Sequence, residues 1–212
     1  MTQTATALEA CRNALVANGF DAFITRDTAH ASALFFEKIL PQIKVRTVAW
    51  GDSMTMEATG ILDELSQRRE LQVIATFEPG IDRQVLIERR RQALITDLFL
   101  TGSNAVTLDG KLVNLDMIGN RTAPISFGPK KVVIFAGRNK LVPDIPAGMD
   151  RVRTIAAPLN TRRHKMQTPC IRTGRCHDCN SPQRICNSWS LIEKCFPKKR
   201  IKVVLIDQDL GL

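Results

Sequence analysis

The sequence predicts an α/β fold, a mostly parallel sheet with helices on both faces. Strand-like segments alternate with segments of helical periodicity along the 212 residues, which is the order typical of parallel sheets. Several strand-like segments, such as KVVIFAG at 131–137, are continuous apolar runs, as expected where helices cover both sheet faces. The stretch AVTLDGKLVNL at 105–115 has Asp109-Gly110 between two apolar halves, a pair typical of a tight turn. We therefore expect one antiparallel hairpin set into the sheet.

The elements before the hairpin follow from apolar spacing and from residues that begin or end helices. Leu8, Cys11 and Leu15 fall on one helical face, and Gly19 ends that helix. Asp27 is a typical N-cap for the second helix. The predicted elements are helix 4–18, strand 21–26, helix 28–40, strand 45–50, helix 54–70 with a break at Gly60, strand 71–76, helix 81–95 and strand 97–101.

The elements after the hairpin continue the alternation. Met149, Val152 and Ala156 have the spacing of a helix that faces a core. The predicted elements are a short helix from Asn120 to Phe127, strand 131–137, helix 144–163, a short helix near 188–194 and strand 201–207.

The composition changes at about residue 160, where the chain becomes basic, polar and rich in cysteine. The segments before and after this region have the apolar content of one α/β core. We therefore expect an α/β domain over 1–160 and 200–212, with a cysteine-rich insertion over 161–199.

The bulk composition limits the class of protein. A hydrophobic content of 44% is enough for the chain to bury a core. No run of about eighteen apolar residues is present, so we expect no membrane span. The N-terminal stretch MTQTATALEACRNALVANGF lacks the apolar run and cleavage site of a signal peptide. We therefore expect a cytoplasmic protein, in which thiols stay reduced.

The net charge of +9 raises the question of an anionic partner. The basic residues are scattered in short groups, the chain has no tyrosine, and no nucleic-acid recognition motif is found. We therefore expect no nucleic-acid partner and interpret most of this charge as solvated surface. A small anionic substrate would be a second use for part of it.

Glycines followed by small polar or cationic residues come after four of the predicted strands. Glycine lets backbone N–H groups approach a ligand, and arginine can bind a carboxylate or phosphate in two places. Helices starting at Ser53 or Asn120 would also present free N–H groups to an anion. Ordinary turns and caps are the alternative interpretation. The candidate ligand-binding residues are Gly51, Asp52, Ser53, Gly102, Asn104, Asn114, Gly119, Asn120, Arg121, Gly137, Arg138, Asn139 and Lys140.

The catalytic residues are not evident from the sequence. Gly51-Asp52-Ser53 lacks the second glycine of a nucleophile elbow, since Thr55 stands at that position. With three histidines in the chain, no Ser–His–acid arrangement is found. Glu57 is a candidate acid, base or nucleophile if it is buried. A glutamate there also favours a helix N-terminus without any catalytic role.

Four cysteines, Cys170, Cys176, Cys179 and Cys186, lie within seventeen positions. The CxxC formed by the middle pair lets two thiolates bind one metal from a tight turn, and four thiolates suffice for Zn²⁺ or a 4Fe–4S cluster. A disulfide or free thiols are the alternatives. Cys11 and Cys195 fall on predicted helices and have no expected role.

Three stretches resemble the LUD-domain family, which includes lactate-utilisation protein C. They are WGDSMTMEATG at 50–60, TGSNAVTLDGKLVNLDMIGNRTAPISFGPKKVVIFAGRNKLVPD at 101–144 and the terminal VVLIDQDLGL. The resemblance covers nearly the whole chain, and the cysteine-rich stretch is similar to that of a subset of the family. One departure is Met117, where the family pattern leads us to expect glycine.

The resemblance implies a fold similar to sugar-phosphate isomerases, glucosamine-phosphate deaminases and CoA transferases. It implies a role in oxidising lactate or a related small organic acid, beside iron–sulfur protein partners, and it favours a 4Fe–4S cluster over Zn²⁺. It carries no established catalytic residue to this chain. Two other hypotheses stay open: an isomerase- or transferase-like enzyme for a phosphorylated or CoA-linked anion, and a non-catalytic scaffold stapled by zinc.

Overall fold

The computed structural model describes residues 3–212, which form two sheets and their surrounding helices. The strands are β1 (Asp21–Thr25), β2 (Thr47–Trp50), β3 (Gln72–Ile74), β4 (Leu98–Gly102), β5 (Ala105–Thr107), β6 (Leu112–Asp116), β7 (Lys131–Gly137), β8 (Leu141–Val142), β9 (Ser188–Ile192) and β10 (Ile201–Ile206). The α-helices are α1 (Gln3–Ala17), α2 (Thr28–Leu34), α3 (Met54–Glu57), α4 (Ile61–Gln67), α5 (Arg83–Gln92), α6 (Thr122–Ser126), α7 (Ile145–Arg151), α8 (Ala157–Arg163) and α9 (Pro169–Thr173).

The main sheet contains six strands in the order β1-β10-β7-β4-β2-β3, and every neighbouring pair is parallel. Successive residues of β7 and β10 contribute to different cores. Ile134 packs with the face that carries α1, while Val133 and Phe135 pack with the face that carries α2 and α4. Both faces are therefore buried, which explains the continuous apolar runs. The predicted α/β class is confirmed.

The hairpin belongs to a second sheet, so the prediction that it is set into the main sheet is wrong. β5 and β6 pair antiparallel as expected, but the sheet order is β8-β5-β6-β9. The physical reason is that β4, which leads into the hairpin, already has β2 and β7 as its two neighbours. No edge of the main sheet is free there.

The predicted helix near 188–194 is also wrong, because this segment is strand β9. Asn114 of β6 pairs with Ser190, and the antiparallel register continues on either side. This long-range pairing decides the conformation, since local spacing over five residues does not distinguish helix from strand. Cys195 follows β9 in irregular backbone and not on a helix.

Most predicted helices are present, with irregular turns inside them. Asp27 caps α2 by accepting a 2.8 Å hydrogen bond from the His30 N–H, and Gly60 separates α3 from α4. Helix 28–40 and helix 144–163 each contain a π-helical turn, at Phe35–Ile39 and Val152–Ala156 respectively. Within residues 3–212 no helix is long and apolar enough to cross a membrane.

Asn120 does not cap the helix that follows it. The carboxylate of Asp116 accepts hydrogen bonds from the backbone N–H groups of Arg121 and Thr122, at 2.7 and 2.9 Å. The first N–H groups of α6 are therefore occupied by a carboxylate of the protein itself. They are not open to an anionic ligand, contrary to the expectation from sequence.

Candidate functional site

A cleft of about 260 Å³ lies beyond the carboxyl ends of β2, β4 and β7. In parallel sheets this edge is where ligands bind. The side wall opposite the strand ends comes from α8 and from the chain that follows it. Seven of the candidate residues line this cleft: Asp52, Ser53, Gly102, Asn104, Asn120, Arg121 and Lys140.

Six candidate residues do not line the cleft: Gly51, Asn114, Gly119, Gly137, Arg138 and Asn139. Gly51 lies directly behind it, and a Cβ at this position would be 2.6 Å from Cγ of Arg121. Glycine is thus needed there to make room for the arginine stem. Arg138 is exposed and forms ion pairs with Asp207 and Asp209, at 3.2 and 2.9 Å.

The loop after β4 is fixed by reciprocal side-chain hydrogen bonds with β6. The Asn104 N–H donates to Oδ1 of Asn114 at 3.1 Å, and Oδ1 of Asn104 accepts from the Leu115 N–H at 3.0 Å. Asn114 is fully buried, and its Nδ2 has no partner within residues 3–212. Asn114 therefore holds the cleft wall from behind.

Arg121 is held in one orientation by acceptors on two elements. Its Nε donates to Asp116 at 2.9 Å, and its Nη2 lies 2.7 Å from the same carboxylate in an ion pair. Nη2 donates to Asn104 and to the Leu115 carbonyl, both at 3.0 Å. Its Nη1 group has no partner within residues 3–212 and is left for a ligand. A guanidinium fixed in this way is preorganised to bind an anion.

Lys140 is the least solvated cationic side chain that lines the cleft. It ends the 3₁₀ turn Arg138–Lys140 and is 5% exposed. Its Nζ has no hydrogen-bond or ion-pair partner within residues 3–212, although it lines the cleft. Burial, followed by the positive charges of Arg151 and Arg121, lowers the pKa of Lys140 to about 7. A buried lysine without a counterion indicates a site for an anion.

Arg151 supports the cleft, and the sequence did not single it out. Its Nε donates to the Asn139 carbonyl at 3.1 Å, and its Nη1 donates to the Asn104 carbonyl at 2.6 Å and to a backbone oxygen of Leu212 at 3.4 Å. It therefore joins two strand-end loops to the last residues of the chain. A signal was present: Arg151 lies beside Val152 on the apolar face of its helix, where a basic residue is unusual.

At the mouth of the cleft, Asp52 contacts Arg163 and His164, two residues that the sequence did not single out. Asp52 accepts hydrogen bonds from Arg163 and from His164 Nε2, the latter at 3.1 Å. Burial alone would raise the pKa of Asp52, but the hydrogen bonds from His164 and Arg163 outweigh it and lower that pKa. These contacts join the end of α8 to the loop after β2.

Glu57 and Met117 differ in their relation to the cleft. Glu57 is exposed at the end of α3 and does not line the cleft, so the burial that its catalytic role requires is not met. Met117 lines the cleft and is half-buried. Its φ is not positive, because the left-handed residue of this turn is Gly119, with φ of 84°. The turn therefore has no need of glycine at position 117.

Cationic side chains outnumber carboxylates around the cleft. The acidic side chains that line the cleft are Asp52 and Asp116, and both are already paired. The cationic residues that line the cleft are Arg90, Arg121, Lys140 and Arg163. With Arg151 behind them, the arrangement can hold a carboxylate or phosphate whose charge the protein does not supply itself.

The four clustered cysteines lie together beside this cleft. Cys170, Cys176, Cys179 and Cys186 are partly exposed and all line one small cavity of about 20 Å³. They belong to an irregular stretch, residues 164–187, which we call the cysteine segment. All six cysteines of the chain are free thiols, and within residues 3–212 no three metal-binding side chains are grouped closely enough to hold an ion as they stand.

Polar contacts surround these sulfur atoms. The Cys170 Sγ lies 3.1 Å from Thr168 Oγ1 and 3.5 Å from Thr161 Oγ1, and the Cys176 Sγ accepts from the Asp178 N–H at 3.4 Å. In the two threonine contacts either group can donate, and burial raises the pKa of the Cys186 thiol. Cys11 and Cys195 are buried elsewhere, in the core around α1.

The family model for the LUD domain matches residues 8–206. Among solved structures, a DUF162 family protein from Deinococcus radiodurans is 14% identical, with 97% of this chain and 99% of that chain covered and a TM-score of 0.54. eIF2B beta from Chaetomium thermophilum is 20% identical, with 56% of this chain and 44% of that chain covered and a TM-score of 0.36. No curated protein matches the chain. At 14% identity the first likeness bears on the fold alone.

Proposed function

This chain belongs to the LUD-domain family, and on that premise we propose that it takes part in the oxidation of lactate or a related small organic acid. The cleft at the strand ends binds the acid by its carboxylate. The family is generally linked to lactate utilisation, and the cleft supplies the charge that such an acid needs.

The observation that carries this proposal is Lys140. Its ammonium group is buried, faces the cleft and has no counterion within residues 3–212. An ammonium group in such a place destabilises the folded chain unless a ligand compensates it. A site that destabilises the folded chain when no ligand is bound is expected in a protein whose function is to bind that ligand.

Three cationic residues contribute to anion binding in different ways. Lys140 contributes a point charge, and the free Nη1 of Arg121 contributes directed N–H donors. Arg151 does not line the cleft, so it acts by holding Asn104 and Asn139 in place and by adding positive potential. Asn120 and Ser53 line the same space and can bind a hydroxyl or carbonyl oxygen of the ligand.

The size of the cleft favours a small acid over a CoA ester. Pockets that enclose drug-sized molecules measure roughly 300–1,000 Å³, whereas this cleft measures about 260 Å³. A CoA ester would leave most of its nucleotide outside. A sugar phosphate is the nearest competitor, because it has the same anionic end and a modest size.

A calorimetric titration with L-lactate, a short 2-oxo acid, a sugar phosphate and a CoA ester tests the proposal. We expect the small acids to bind, and Lys140→Met to weaken binding at least about tenfold, since it removes a charge-assisted hydrogen bond. Lys44→Met is the matched control, because Lys44 is exposed and does not line the cleft. Binding of the phosphate or the CoA ester alone would replace lactate with that class. No binding by any of the four would favour a scaffold.

The dependence on pH gives a second readout. An anion binds better to the protonated ammonium, so affinity should be full below the pKa of Lys140, which is about 7 in the free chain, and should fall as the pH rises through it. The Lys140→Met variant should lose this dependence. An unchanged profile in that variant would assign the titration to another group.

A further inference from the structure

We propose that Cys170, Cys176, Cys179 and Cys186 bind one Zn²⁺ ion, and that this ion fixes the wall shared by the cysteine cavity and the cleft. Binding of the ion does not depend on what the cleft accepts. The effect on the wall rests on the proposed function, because it is read through ligand binding.

The first support is that three short stretches of chain bring four thiols to one cavity. Cys170 comes from α9, and Cys176 and Cys179 come from the following turn, in which Asp178 has a φ of 45°. Cys186 precedes β9 and completes the set. A tetrahedral thiolate site needs four ligands, and two of them typically come from a closely spaced pair such as CxxC. The sulfur atoms would have to close on the ion, which short irregular segments permit.

The second support is that the cysteine segment has little else to hold it. Between His164 and Asn187, Thr168 is the one residue that is buried. The segment is joined instead by polar contacts, such as the Gln167 N–H to Gln183 Oε1 at 2.6 Å and Ser181 Oγ to the Gln167 carbonyl at 2.8 Å. Contacts of this kind contribute modestly in water. Stretches without an apolar core are commonly held by a metal or a disulfide, and these cysteines are free thiols.

The size of the cavity favours a single ion over an iron–sulfur cluster. Its volume is about 20 Å³, and a cavity needs roughly 10–15 Å³ to hold one water molecule. One ion between four sulfur atoms fits this space. A cubane core of four iron and four sulfide atoms does not fit unless the segment moves outward.

The third support is that the two cavities share a wall. Ala157 and Ile185 line both the cleft and the cysteine cavity. Ile185 immediately precedes Cys186, and Arg184 donates to the Cys186 and Cys179 carbonyls, at 2.9 and 2.8 Å. An ion bound to Cys186 would therefore fix Ile185 where it faces the ligand.

Metal analysis of the full chain, purified without oxygen from medium that contains zinc and iron, tests the site. We expect about one zinc per chain, with almost none in the Cys176→Ser/Cys179→Ser double variant. Cys11→Ser and Cys195→Ser are the matched controls, because these thiols lie outside the segment, and both should keep their zinc. Iron with sulfide and visible absorbance would overturn the choice of zinc. Zinc retained by the double variant, or metal-free wild-type protein, would overturn the site.

Cobalt substitution of the wild-type chain keeps the test valid if the double variant fails to fold. Tetrahedral cobalt bound to thiolates gives strong sulfur-to-metal charge-transfer bands and intense visible bands, whereas octahedral cobalt in water does not. We expect the tetrahedral spectrum at one equivalent of Co²⁺. Its absence would count against four-thiolate binding.

Titration of the cleft ligand before and after removal of the metal tests the shared wall. We expect several-fold weaker binding without the ion, restored when Zn²⁺ is returned. Equal affinity in both states would remove the link to the cleft and leave the metal site intact. A chain that binds zinc but none of the anions would refute the proposed function without refuting the site.

Discussion

The main sheet and the cysteine segment are held in opposite ways. Every residue of β7 from Val132 to Gly137 and every residue of β10 is buried, and their side chains pack into two apolar cores. In the cysteine segment nearly every residue is partly or fully exposed, and side-chain hydrogen bonds replace apolar contacts. Apolar burial and strand pairing hold the first region, whereas the second depends on polar contacts and, as we propose, on a metal ion.

The cleft lies where these two regions meet. Its floor is the strand-end edge of the main sheet, and part of its opposite wall is Ile185 of the cysteine segment. A rigid floor holds the charged groups in fixed positions. Ligand binding would change the conformation of the less stable wall more than that of the floor, since the parts of a fold that move on binding are its least stable parts.

The largest expected effect is the loss of stability when a buried side chain of the main sheet is truncated, compared with a truncation in the cysteine segment. Leu100→Ala removes a fully buried side chain of β4 and should lower the free energy of unfolding by about 3–4 kcal/mol. Ile171→Ala, in the partly exposed cysteine segment, should cost less than about 1 kcal/mol. Urea denaturation of both variants measures the difference. Similar losses would mean that the segment is part of the same cooperative core.

The same contrast explains what could be predicted from sequence. β7 and the helix cap at Asp27 have local signals, an apolar run and an N-cap residue, and the structure contains both. β9 has no decisive local signal, because Ser190 adopts a strand through its pairing with Asn114, 76 positions earlier in the chain. Local spacing therefore predicted the main sheet and failed where pairing across the chain decides.

The residues of the candidate site also fall into those that could be predicted from local sequence and those that could not. Lys140 and Arg121 follow glycines at strand ends, so their positions could be inferred from the order of elements. Arg151 and Arg163 reach the site from helices whose orientation depends on tertiary packing, and no local pattern gives that orientation. Arg138 shows the converse, because it has the predicted position but turns to Asp207 and Asp209.

A second prediction concerns the floor of the cleft. Asp116→Asn should lower the free energy of unfolding by about 2–3 kcal/mol, because the 5% exposed carboxylate accepts from the backbone and the side chain of Arg121, and its loss leaves a mostly buried guanidinium unpaired. Asp209→Asn is the control, since that carboxylate is exposed and should give no measurable change. Urea denaturation compares them, and equal behaviour would refute the assigned role of Asp116.

The third prediction is a substitution that stabilises the folded chain, whereas the first two destabilise it. Lys140→Met should raise the free energy of unfolding by about 1–2 kcal/mol near pH 6, because it removes a buried charge without a counterion. The pKa of Lys140 is lowered from 10.5 to about 7 on folding, so the cost of the charge is complete below pH 7 and decreases as the pH rises toward 10.5. The gain should decrease over the same range. A variant destabilised at pH 6 would show that the ammonium contributes to folding.

The smallest expected effect lies at the junction of the two regions. Asp52 ties the loop after β2 to Arg163 and His164, where α8 passes into the cysteine segment. Because these partners are partly exposed, Asp52→Asn should cost less than about 1 kcal/mol. The pKa of Asp52 is lowered, so its contribution is present above the ordinary value of 3.8 and is lost as the pH falls below it. The free energy of unfolding of the asparagine variant should therefore fall less steeply as the pH is lowered into the acid range.

Hydrogen exchange of the Asp52→Asn variant distinguishes a local effect from a global one. We expect faster exchange over 160–187 and unchanged exchange in β7 and β10. Faster exchange in those strands would mean that the junction stabilises the main sheet, and the two regions would then unfold as one unit.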